Sequence, residues 1–179
     1  MHKDRGFTLI ELMIVLAVVA ILLLIAVPSW RHARAAAHSV AAKSALAATI
    51  LDGVRYSANA GSEVVVCPSS NAATCADTTD WSGGWLAYAD LDGNRAQGGD
   101  ETRIRQQSSL TGGVQLRSTK GRKQLVFQPN GGNAGSNVTF TLCDARGTAY
   151  ASTLVLSNSG NLRQGKASAA TAQACVAGV

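Results

Sequence analysis

No histidine follows His38 in this chain of 179 residues. Without an imidazole, neither a Ser/His/Asp nor a Cys/His constellation can be assembled in the globular part. The acids Asp90, Asp92, Asp100 and Glu101 are close in sequence, but no pocket can be inferred around them, so no enzyme is expected and no catalytic residue is assigned. Internal repeats and low-complexity domains are absent, and the length suits one domain plus a membrane segment rather than two domains. Cysteine is missing from the first 66 residues. The four that follow, Cys67, Cys75, Cys143 and Cys175, lack C-x2-C spacing and have no histidine in the same part of the chain, which argues against a zinc site. Neither a metal nor a cofactor is expected.

An even cysteine count in a Gly-, Ser- and Asn-rich region downstream of an apolar segment points to an oxidising compartment and two bridges. Three pairings are open; Cys67 with Cys75 and Cys143 with Cys175 would each staple a local loop, contributing about 2.5 and about 4 kcal/mol by chain entropy. Charge is distributed unevenly. The net +5 divides into +2 over residues 1–37, −4 over 38–100 and +7 over 101–179. The last third therefore presents a cationic surface, suited to DNA phosphates, to an acidic protein partner or simply to solvation.

What is abundant is hydrocarbon near the N-terminus. Leu12 to Val27 are sixteen consecutive apolar residues, and the run from Phe7 reaches 21. As a helix it spans about 32 Å, enough for a hydrocarbon core of about 30 Å. No small-x-small site closes the run, which passes through Pro28 into SWRHARAAAHSVAAKSALAATILDGVRY; the alanines of ARAAAHSV are the one candidate for a secretory cut. A basic MHKDRG precedes it, with Gly6 next to Phe7. Glu11 is the anomaly, because a lone charge in hydrocarbon costs roughly 3 kcal/mol on insertion scales and is a functional hypothesis by default; the bland reading is a snorkelling acid. Lys3 and Arg5 on one flank nearly balance Arg31 and Arg34 on the other, so the cysteines set the orientation, with the C-terminal part outside the cytoplasm.

The stretch GFTLIELMIVLAVVAILLLIAVPSW resembles the N-terminal signature of type IV pilins and type II secretion pseudopilins. That resemblance implies a prepilin peptidase that cuts after Gly6 and methylates the new amine of Phe7. Glu11 then stands at the family's glutamate position and is expected to meet the Phe7 ammonium of a neighbouring subunit. Two charges compensating each other in a low-dielectric core are directional, so the pair would set subunit register. The implied organisation is a leader over 1–6, a transmembrane half-helix over 7–28, an amphipathic half-helix over 29–60 and a head over 61–179. The implied location is a bacterial inner membrane, single-pass, with the head in the periplasm and the subunit extracellular once assembled with other pilins or pseudopilins.

Past Pro28, Val40, Ala47, Ile50, Leu51, Val54 and Ala58 recur at helical spacing, which predicts a helix to about Ser57, loosened or kinked at Pro28, with this stripe facing a sheet. Beyond Gly61 the runs EVVVC, GWLAYA, TRIRQ, VQLR, KQLVFQ, NVTFTLC and STLVLS alternate with GG, NGG, DGN and NSG turns. They predict an antiparallel β head and an α+β class, with KASAATAQACVAGV an irregular tail pinned by Cys175. Trp81 and Trp85 are expected in the core, the other reading being an exposed stacking platform.

The segments VVVCP, WSGGWLAYADLDGNR and FQPNGG, with the C-terminal cysteine pair, resemble the GspH/FimT minor pilins. This implies a pilin fold and a place in a type IV pilus. For FimT-like members it also implies double-stranded DNA binding through a C-terminal GRxR motif during natural transformation; the rivals are a GspH-like pseudopilin of a type II secretion system and a purely structural subunit. NSGNLRQGK matches Gly160 and Arg163 of that motif, but Asn161 replaces the first arginine, removing one bidentate phosphate contact. Lys166 follows three residues on, and Lys120, Arg122, Lys123 and Arg146 are the other candidates. In ADLDGNRAQGGDE, Asp90, Asp92, Asn94 and Glu101 fall at calcium-loop positions, but Arg95 occupies the glycine position, so a polar turn is favoured.

Overall fold

The computed structural model describes residues 6–177; residues 1–5 of the expected leader lie outside them. The chain divides into two compact units, Met1–Arg34 and Ala35–Val179, and helix α1 (Leu9–Ala60) contributes to both. In the first unit no described side chain is buried, and the helix is long and apolar enough to cross a membrane. Thr8 starts it: its Oγ1 accepts the Glu11 N–H at 3.3 Å, one half of a T-x-x-E capping box. Glu11 thus lies in the first turn, where the helix dipole favours an anion. Pro28 lies inside the helix and does not end it. Near the end of the apolar run, Arg34 stacks 4.7 Å over the exposed Trp30 ring.

The described residues of the second unit form eight strands, all paired antiparallel: β1 (Glu63–Pro68), β2 (Trp85–Asp90), β3 (Arg103–Gln107), β4 (Gln115–Ser118), β5 (Leu125–Phe127), β6 (Val138–Cys143), β7 (Ser152–Leu156) and β8 (Leu162–Lys166). They form two four-stranded sheets, ordered β3-β2-β1-β5 and β4-β6-β7-β8. Ala42, Leu46 and Ile50 of α1 share one core with Val64, Val66, Trp85 and Phe127 of the first sheet and Leu116, Phe140 and Leu154 of the second. Each disulfide fastens a cover over the other face of one sheet. Cys67–Cys75 pins a loop where Val65, Leu86, Tyr88 and Val126 are buried, and Cys143–Cys175 pins helix α2 (Ala169–Val176) beside Ala151 and Ala172.

Three expectations need correction. Of the expected stripe, Ile50 is buried and Ala47 and Val54 pack half-buried on the core, but Val40, Leu51 and Ala58 are exposed, and the buried positions of α1 are Ala35, Ser39, Ala42, Leu46, Thr49, Ile50, Gly53 and Ser57. Small residues win because aromatics approach the helix closely. A Cβ on Gly53 would sit 2.9 Å from the Phe127 ring. Thr49 Oγ1 accepts the Trp85 indole N–H at 3.0 Å, and Ser57 Oγ donates to the Ser62 carbonyl at 2.7 Å. Second, the helix runs past Ser57 to Ala60 before Gly61, at φ 68°, turns the chain. Third, the tail is not irregular: Ser168 caps α2, its Oγ accepting the Thr171 N–H, and Ala172 and Cys175 face the sheet one turn apart. NSGNLRQGK also contributes an eighth strand rather than a loop alone. Trp81 and Trp85 are fully buried; Trp81 meets Phe140 edge-on at 5.1 Å and donates to Ser118 Oγ, which removes the stacking-platform reading.

Candidate functional site

The eight expected DNA contacts do not form one cluster. Gly160 and Asn161 build the β7–β8 turn: Gly160 has φ 81°, and the Asn161 N–H donates to Ser157 Oγ at 3.0 Å. Arg163 and Lys166 lie on β8 and are both exposed. Strand alternation separates them, Arg163 and Gly165 facing one side and Leu162, Gln164 and Lys166 the other. Leu162 packs on the core, so Arg163 occupies the outer face. Lys166 instead lines a cavity of about 300 Å³ with Thr148, Ala169 and Gln173.

Arg122 and Lys123 lie elsewhere, in a groove of about 410 Å³ beside the Cys67–Cys75 bridge. Both terminal nitrogens of Arg122 donate to the Ala134 carbonyl at 3.2 Å, and burial lowers its pKa. Lys123 pairs with Asp77 at 2.7 Å. Arg146 is the most committed of the candidates. It donates to Asp144 through Nε at 2.9 Å and Nη2 at 2.7 Å and stacks on Tyr150. Burial pushes the Asp144 carboxyl up, but the Arg146 hydrogen bonds outweigh it and hold the acid below its ordinary range. Arg146 is a structural cation, since a nearly buried guanidinium already paired side-on offers little to a phosphate.

The outer face of β4-β6-β7-β8 gathers mostly positive charge, with Asp80 at its β4 edge 3.8 Å from Arg117. None of its four strands contains an acidic residue. Asp144, just past β6, is turned inward to Ser39 and Arg146. Antiparallel register lines up Arg117, Thr141, Thr153 and Gly165 across the sheet, and Val155 with Arg163 one row on. Lys120 follows β4 and is exposed; neither it nor Arg163 pairs with a carboxylate among the described residues. Arg117 is the residue that the sequence reading passed over. Alternation in QLRS, with Leu116 in the core, is the signal that points it outward.

Acid collects around the β2–β3 loop instead. Donor oxygens of Asp90, Asp92 and Glu101 come within 4.8 Å of one another. Each carboxylate oxygen accepts a loop donor: Asp90 from Gly93 and Arg95, Asp92 from the Asn94 backbone and side chain, Glu101 from Leu91 and Gly98. Arg95, at the glycine position, takes φ 58°. Burial is the main cause of a raised Asp90 pKa, with Glu101 and Asp92 adding to it. The arrangement is a self-satisfied polar turn between two strands.

Comparison with known proteins places this architecture. Residues 56–160 match the family described as type II transport protein GspH, and residues 1–27 match the prokaryotic N-terminal methylation motif. Among solved structures, the type IV minor pilin FimU of Pseudomonas aeruginosa in one crystal form is 13% identical, with 78% of this chain and 92% of that one covered at a TM-score of 0.56. In a second form the figures are 14%, 69%, 87% and 0.51. The minor pseudopilin EpsH of the Vibrio cholerae type 2 secretion system is 15% identical, with 68% and 92% covered at 0.47. At these identities the FimU likeness carries the fold alone, a long N-terminal helix packed on antiparallel sheets. The match of residues 56–160 spans more than half of the chain and follows a methylation-type N-terminus, so the chain belongs to the GspH family of type IV minor pilins and pseudopilins, which are structural proteins.

Proposed function

We propose that this minor pilin serves a type IV pilus in the manner of FimT and captures double-stranded DNA for uptake. The observation that carries the reading is the outer face of β4-β6-β7-β8, whose strands contain no acidic residue and where Arg163 and, at the opposite edge of the sheet, Lys120 stand exposed. Lysine and arginine contacts to phosphates release counterions and ignore sequence, which suits a fibre that must hold any duplex. Arg163 is the principal contact and Lys166, on the other side of the strand, reaches phosphate only where the duplex wraps the β8 edge. Processing after Gly6 and pairing of Phe7 with Glu11 of a neighbour complete the proposal: Glu11 is exposed in the first helical turn, available to an ammonium from outside. Prepilin peptidase and other pilins are the corresponding partners, and the domain limits at residues 6, 28 and 60 follow from the same reading.

The test is a duplex titration of the full chain in nonionic-detergent micelles at several salt concentrations. The expected result is binding that falls steeply with salt and weakens on Arg163→Ala. Unchanged affinity in that variant removes Arg163 from the site; no binding even in low salt leaves the subunit structural. Mass spectrometry of the protein from cells checks the first step, with a methylated Phe7 N-terminus expected and an intact leader contradicting it.

A further inference from the structure

A groove of about 370 Å³ opens on the outer face of the second sheet, between β4, β6 and α2. Arg117 and Lys120 line one wall, Thr119, Thr139 and Thr141 the floor, and Thr171 the α2 side. Thr119 Oγ1 donates to the Thr139 carbonyl and accepts the Thr139 N–H at 2.9 Å, which fixes the floor and carries β4–β6 pairing one residue past the strand. Arg117 is partly drawn toward Asp80, 3.8 Å away, whereas Lys120 makes no ion pair among the described residues. From Thr139 the row continues across the sheet through half-buried Val155 to Arg163, beside buried Thr153 and exposed Gly165. Gly165 leaves that path low: a Cβ there would come 3.0 Å from Thr153 Oγ1, and glycine inside a strand often marks close approach by a ligand.

We infer that this face is a continuous track for a nucleic-acid backbone, with one phosphate seated in the groove against Lys120 and Arg117 and another held by Arg163 on the far strand. The inference rests on the DNA reading above and adds a second subsite remote from the β7–β8 turn. Register sets the spacing. Three inter-strand steps of about 4.8 Å separate the β4 side of the face from Arg163, giving about 14 Å at backbone level, a span that two phosphates of one duplex can bridge. A single duplex laid across the strands meets both subsites. A backbone-level floor lets a phosphate approach, and two cations at that separation select an extended polyanion over a lone anion. The missing guanidinium at Asn161 is thereby compensated from another element of the fold, since Lys120 and Arg117 come from β4 and its turn.

The experiment compares Lys120→Ala, Arg163→Ala and Arg103→Ala in the full chain in detergent micelles, using a short random-sequence duplex. Arg103 lies on β3 of the other sheet and controls for loss of one charge anywhere on the head. Loss of a phosphate contact lowers the slope of log affinity against log salt by about 0.9, which near 50 mM salt is roughly a tenfold loss. Lys120→Ala is expected to show both changes and Arg103→Ala neither. If Lys120→Ala matches the wild type, or falls only as far as Arg103→Ala, while Arg163→Ala still weakens binding, the track is wrong and DNA capture at the turn stands. If the wild-type chain binds no duplex at low salt, both readings fall together.

Discussion

Thr49 and Trp85 offer a direct measure of what polar groups do in the shared core. Both are fully buried, and the indole N–H donates to Thr49 Oγ1 at 3.0 Å, while the hydroxyl donates back to the Ala45 carbonyl at 2.9 Å. In Thr49→Val the β-branched shape is kept, so no cavity opens, and the two residues have similar helix propensity. What is lost is the acceptor for a buried indole, which water cannot replace. An orphaned buried donor costs about 1–3 kcal/mol; the Ala45 carbonyl is less affected, because it lies within the helical ladder. A loss of about 2 kcal/mol lowers the melting temperature of a domain this size by about 4–8 °C. Urea unfolding followed by tryptophan fluorescence is the assay, since Trp81 and Trp85 are buried reporters while Trp30 is already exposed. Adding Trp85→Phe, which removes the donor, should cancel most of the Thr49→Val effect in a double-mutant cycle. A Thr49→Val midpoint within about 0.5 kcal/mol of wild type, or no coupling in the cycle, would refute the argument that this hydrogen bond ties α1 to β2.

Other outcomes follow from the same geometry. Arg146→Met leaves Asp144, whose side chain is 0% exposed, without its cation and should cost about 3–5 kcal/mol at neutral pH. The pH dependence inverts with it: in the native chain the depressed Asp144 pKa gives stability present above about pH 4 and lost as pH falls. In the variant burial raises the pKa, so stability recovers on acidification, and urea midpoints at pH 4 and pH 7 separate the two cases. Gly84→Ala should prevent folding of the head, because at φ 106° its Cβ would collide with the Gln107 carbonyl; circular dichroism and protease resistance report it.

The sequence by itself determined the features that depend on local chemistry. The apolar run from Phe7 is long enough for a membrane-length helix, and the apolar runs punctuated by glycine turns read as short antiparallel strands. The β2–β3 acids were legible as a turn for the same reason, their partners being N–H groups a few residues away. What tertiary structure decided is which face each side chain joined. Val40 and Leu51 look like core but are exposed, because bulky Phe127 and Trp85 need Gly53 and Thr49 opposite them, and that demand comes from strands far along the chain. The basic residues of the last third look equivalent in sequence. Pairing with Asp144, Asp77 or the Ala134 carbonyl occupies Arg146, Lys123 and Arg122, and strand parity turns Lys166 away from Arg163. Charge density is a property of composition; a charged surface is a property of sheet register, which no stretch of chain shorter than the whole head specifies.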